Sequence, residues 1–113
     1  MTIEQVVDAY FAGMRAKDIA ALKALYTEDA TFVLPDGREF NGIDAIAGMH
    51  QGVFAAGAPV PSVGAKIIGD NAAAAEVEAK LPDGSSRFTT NHFYLDAEGR
   101  IEKLNVYMKA PLS

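Results

Sequence analysis

A length of 113 residues allows one domain with a real core, residues 1–113, and excludes a second, while a composition that is 50% hydrophobic excludes disorder. The absence of cysteine removes disulfides, thiolate nucleophiles and cysteine metal sites together. A net charge of −5 argues against nucleic acid or an anionic membrane as partner, since neither would be attracted electrostatically.

No apolar run approaches the roughly 20 residues of a membrane span, and the N-terminus lacks a signal-peptide pattern, so the expected location is cytoplasmic. Thr2 with Gln5 three residues on fits a capping box, and Ile3, Val6, Val7, Tyr10 and Met14 follow helical apolar spacing. Asp18 then caps a short second helix with Ile19, Leu22, Leu25 and Tyr26 on one face. Thr31 to Leu34 reads as a short strand closed by Pro35-Asp36-Gly37, with a brief strand at Arg38 to Phe40. A third helix starts near Asn41-Gly42 and carries Ile43, Ile46, Ala47, His50, Val53 and Phe54 on one side; Gly52 and Gly57 fray it and Pro59 and Pro61 mark its end. A strand over Val63 to Ile68 follows, then a turn at Gly69-Asp70-Asn71.

The last third organises the rest. Ala72 to Leu81 is a β-favouring run joined to a second through Pro82-Asp83-Gly84, and Asp96-Ala97-Glu98-Gly99 turns the chain into a third. Leu-Pro-Asp-Gly occurs twice, at Leu34 and at Leu81, which is reused turn chemistry rather than a repeat unit. If Asp83-Gly84 is a two-residue turn, Lys80 lies opposite Arg87, Glu78 opposite Thr89 and Glu76 opposite Asn91. Helices followed by consecutive antiparallel strands predict an α+β domain with helices on one face of a bent sheet.

The order of elements, with AYFAGMRAKDIAALKALYTEDATFVLPDG near the start and NHFYLDAEGRIEKLNVYM near the end, resembles the SnoaL-like, ketosteroid isomerase-like branch of the nuclear transport factor 2-like superfamily, which also holds polyketide cyclases. The resemblance covers nearly the whole chain. It implies a cone-shaped, cystatin-like fold: a bent antiparallel sheet wrapped around three helices, with a hydrophobic cavity. Tyr10 then matches the tyrosine that donates to a substrate oxyanion, and Asn91 matches the second donor, a role an amide fills without a raised pKa. Leu34, directly before Pro35, stands where the family has its aspartate base, and leucine cannot move a proton.

Three residues compete for that missing role. Glu76, beside Asn91 in the two-residue-turn register, is either a general base with a raised pKa or a structural hydrogen-bond partner of Asn91. Asp36 is either a base at the cavity mouth or an ordinary turn aspartate. His50 is either a base or ligand-orienting group, or a packed core histidine. His92 should face the other side of the sheet, and two histidines without metal-ligand spacing predict no metal; no cofactor is expected either.

The two faces of the sheet conflict. The set Val77, Ala79, Leu81, Phe88, Tyr94 and Tyr107 is more apolar than Glu76, Glu78, Thr89 and Asn91, so periodicity turns the first set toward the helices. The resemblance implies the reverse, with the Asn91 face lining the cone and the apolar face forming a homodimer. On that basis the cavity walls are Tyr10, Met14, Tyr26, Phe32, Leu34, Met49, His50, Val53, Phe93, Leu104, Val106 and Met108. Tyr10, Glu76, Asn91 and His50 are the catalytic candidates. The expected ligand is a small apolar molecule with a carbonyl or phenol-like oxygen. The activity, if any, is proton transfer next to a carbonyl, as in an isomerase or cyclase. Alternatives from other classes are a non-catalytic binder and a protein-association module.

Overall fold

The computed structural model describes residues 1–57 and 59–109. The element order is α1 (Ile3–Ala16), α2 (Ile19–Lys23), β1 (Tyr26–Val33), β2 (Glu39–Asn41), α3 (Ile43–Ala55), β3 (Val60–Ile68), β4 (Ala72–Lys80), β5 (Ser86–Leu95) and β6 (Ile101–Met108). The six strands form one sheet in the order β2-β1-β6-β5-β4-β3. Four neighbouring pairs are antiparallel and β1–β6 is parallel. The helices cover one face, which is the α+β architecture anticipated.

The capping residues do what their chemistry predicts. The Thr2 hydroxyl accepts from Gln5 N–H at 3.1 Å and the Gln5 side chain accepts from Thr2 N–H at 2.8 Å, closing the capping box of α1. Asp18 accepts from Ala21 N–H and starts α2. The two helices meet closely at Gly13, where a β-carbon would stand 3.0 Å from Leu22 Cδ2. Val6, Val7, Tyr10 and Phe11 form the buried stripe of α1. Tyr10 and Phe11 both pack edge-on against Phe93 at the centre of the sheet, with ring centroids 5.3 and 6.0 Å away.

Tyr26 opens β1 rather than closing the face of α2, and β1 begins five residues before the expected Thr31. The early part of the strand is hidden in sequence by the exposed pair Glu28-Asp29. It exists because Tyr26 aligns with Ile101 of β6, and Ile101 N–H donates to Leu25 O at 2.8 Å. Pro61 lies inside β3 rather than before it. An edge strand with β4 as its neighbour tolerates a missing N–H.

Three hairpin loops share one geometry. Leu34, Leu81 and Asp96 N–H each donate to the carbonyl four residues on, at 2.8–2.9 Å, and a glycine with φ between +81° and +91° completes each loop. Each loop is therefore three residues long, a turn followed by a left-handed residue, not two. Glycine fits that last position without steric penalty. The extra residue corrects the expected register: Glu76 lies opposite Thr90, Glu78 opposite Phe88 and Lys80 opposite Ser86, and Asn91 lies opposite Ala75.

A slip of one residue turns a whole strand over relative to its neighbour. The conflict between the faces disappears with it. On β4 the apolar set Ala73, Ala75 and Val77 is buried under the helices, as periodicity required. On β5 the set Asn91, Phe93 and Leu95 is buried on the same side, as the resemblance required. Glu76 moves to the outer face and is exposed; Val77, assigned to that face, is 5% exposed inside. The outer face still carries Phe88, Tyr94 and Tyr107, exposed by 51%, 38% and 51%.

Candidate functional site

Between α1, α3 and the inner face of the sheet lies a cavity of about 280 Å³. Of the wall residues expected from sequence, Tyr10, Met14, Phe32, Leu34, Met49, His50, Val53, Val106 and Met108 line it, and so does Asn91. Phe93 and Leu104 do not: both are fully buried beneath the wall as core. Tyr26 does not line it either; its hydroxyl meets the cavity residue His50 at Nε2. Glu76 is on the far side of the sheet, so the Glu76–Asn91 pair inferred from a two-residue turn does not exist. Asp36 is held in its own turn, accepting from Arg38 N–H at 3.0 Å and Arg38 Nε at 2.8 Å, and it does not line the cavity. That is the ordinary turn aspartate, with its carboxyl held below the usual range by these hydrogen bonds to Arg38.

Sequence reasoning missed Phe11, Pro35, Pro59, Pro61, Val77, Ala79, Leu81, Arg87 and Thr89 in the lining. The β4 and β5 members follow from alternation once Asn91 and Val77 are known to share a face, so only the register was lacking.

The polar groups of the cavity are few and connected. Asn91, 6% exposed, accepts the Thr89 hydroxyl hydrogen on Oδ1 at 3.1 Å. Its amide Nδ2 has no protein partner among the described residues and remains a donor. The Tyr26 hydroxyl sits 3.3 Å from His50 Nε2 and also interacts with the Tyr10 hydroxyl. Burial drives the pKa of both Tyr10 and Tyr26 up, so both are neutral hydroxyls. The tautomer sets the direction of the Tyr26–His50 bond: with the hydrogen on Nε2 the imidazole donates to Tyr26, and with it on Nδ1 the Tyr26 hydroxyl donates to Nε2.

His50 is 2% exposed, stacks on Phe54 and meets the Phe32 ring edge-on at 5.4 Å. Burial pushes its pKa down to about 4, which keeps it neutral. Its Nδ1 has no hydrogen-bond partner among the described residues, and with the imidazole hydrogen on Nε2 it is an acceptor. No Asp or Glu is among the described residues lining the cavity, and these residues form no cluster of three metal-binding side chains. A larger hollow of about 590 Å³ lies on the outer face beside Glu76, Glu78 and Tyr107. It gathers no comparable set of buried polar groups: Glu76 is exposed, and Glu78 already accepts from the Ser86 hydroxyl at 2.7 Å. No helix among the described residues is long and apolar enough to cross a membrane.

The SnoaL-like domain family matches residues 7–103. No match is found among curated proteins. Solved structures match along nearly the whole chain. A protein of unknown function with a cystatin-like fold from Methylobium petroleophilum PM1 is 20% identical, with a TM-score of 0.86 over 98% of this chain and 78% of that one. An NTF2-like protein of unknown function from Cytophaga hutchinsonii ATCC 33406 is 17% identical, with a TM-score of 0.81 over 96% and 91%. A candidate ketosteroid isomerase from Kribbella flavida DSM 17836 is 16% identical, with a TM-score of 0.89 over 98% and 80%. At these identities the likeness carries the fold and nothing finer.

Proposed function

The chain belongs to the SnoaL-like domain family, and from that premise we propose that it binds a small, largely apolar molecule through a carbonyl or phenol-like oxygen. One observation carries the reading: two neutral groups able to donate, Tyr10 and Asn91, line the same apolar cavity, and Thr89 occupies the Asn91 amide oxygen so that its Nδ2 is the group left to donate. A ligand oxygen bearing partial negative charge gains from both, in a setting where water competes poorly. Leu34 lines that cavity and contributes no acid or base.

A second reading adds chemistry. With its hydrogen on Nε2, His50 Nδ1, buried and without a partner among the described residues, serves as the base for proton transfer next to a bound carbonyl, while Tyr10 and Asn91 hold the developing oxyanion. Its low pKa makes it a weak base, which favours binding over efficient turnover. The outer face, with Phe88, Tyr94 and Tyr107 exposed, is proposed to pair with a second copy of the chain.

The test is equilibrium binding of substituted phenols of graded acidity, followed by amide chemical shifts. Tyr10→Phe and Asn91→Ala should each weaken binding by about tenfold, roughly 1.4 kcal/mol, at the upper end of the range for one net hydrogen bond. Unchanged affinity in both folded variants would defeat the assignment.

A further inference from the structure

The inward alternation of β5 runs on from Asn91 through Thr89 to Arg87 at the cavity mouth. Arg87 pairs with Ala79, another inward position, and is exposed. Among the described lining residues it is the single charged side chain, in a protein whose net charge is −5. It forms no ion pair among the described residues. Asp83 feels its charge from the nearby turn without forming an ion pair with it, and Asp83 Oδ1 accepts from the Ser85 N–H and hydroxyl at 2.9 and 2.6 Å. A guanidinium offers a planar fork matched to a carboxylate, and a purely apolar ligand would make no use of it.

We propose that the ligand is an amphiphilic carboxylate, with its apolar body in the cavity, its carbonyl or phenol oxygen at Tyr10 and Asn91, and its carboxylate on Arg87. This rests on the cavity reading above. The geometry limits the ligand further. Arg87 and Asn91 are four residues apart on an extended strand, roughly 13 Å between α-carbons, and the long arginine side chain shortens the gap. A few carbons therefore separate the oxygen from the carboxylate. One arginine with no second cation among the described lining residues suits a monoanion better than a phosphate dianion.

The experiment titrates δ-benzoylvaleric acid and its neutral methyl ester into wild type, Arg87→Gln and Arg87→Lys, by calorimetry and amide chemical shifts. Arg87 is exposed, so the variants should keep their fold, and circular dichroism checks this. Wild type should bind the acid about tenfold more tightly than the ester, and added salt should weaken the acid alone. Arg87→Gln should abolish the preference by lowering the affinity for the acid to that for the ester, and Arg87→Lys should retain part of it. Equal binding of acid and ester by wild type, or a preference that survives in Arg87→Gln, overturns the carboxylate site while leaving the cavity reading intact. Binding of neither probe, with cavity resonances unmoved, overturns both.

Discussion

Asn91 pairs with Ala75 across the β4–β5 ladder, so the neighbouring Glu76 projects from the opposite face of the sheet. The carboxylate nearest to Asn91 in the pairing scheme is thus separated from it by the sheet itself. Glu76→Gln should leave the affinity of a cavity ligand within about twofold of wild type, the range expected for a surface change of about 0.5 kcal/mol or less. A large loss of affinity would mean that the outer face takes part in binding.

His50 makes stability depend on pH. Its pKa is near 6.5 when unfolded and about 4 when folded, because burial disfavours the imidazolium. Between those values the unfolded chain binds more protons, so acid favours unfolding. The stabilisation is complete above pH 6.5, falls as pH drops through this window, and levels off below pH 4 at a loss of about 3 kcal/mol. Urea denaturation from pH 7 to pH 4 should show this slope in wild type and a shallower one in His50→Gln. Identical slopes would place the acid sensitivity elsewhere.

Leu34 offers a gain-of-function test, since it lines the same cavity as Tyr10 and Asn91. Leu34→Asp introduces a partly desolvated carboxylate whose pKa should rise toward the range of a useful base. The substitution should cost roughly 1 to 3 kcal/mol of stability. Weak isomerisation of a β,γ-unsaturated ketone is expected from Leu34→Asp and not from Leu34→Asn, read as absorbance of the conjugated product. Equal rates in the two folded variants would show that position 34 does not reach the reacting carbon.

Tyr107 tests assembly. It is half exposed on the outer face, with its ring 5.0 Å from that of His92. An aspartate there would bury an unpaired charge in a dimer interface. Sedimentation should give a dimer for wild type and a monomer for Tyr107→Asp. A wild type that is monomeric at micromolar concentration ends the proposal.

Local chemistry by itself determined the elements of this protein. The Thr2 capping box, the Asp18 cap, the Leu-Pro-Asp-Gly turns and the apolar stripe through Val6, Val7 and Tyr10 act within a few residues, so their consequences are legible along the chain. The resemblance added that Tyr10, Leu34 and Asn91 belong together, and all three line one cavity. Tertiary structure alone decided the register. Whether Asp83-Gly84 closes a two- or a three-residue loop changes the chain by one position, yet it carries Glu76 from beside Asn91 to the other side of the sheet, because strand side chains alternate with a period of two. The start of β1 at Tyr26 was equally hidden, since its partner Ile101 is distant in sequence. So was the exposure of Arg87 at the cavity mouth, which no local pattern distinguishes from any other surface arginine.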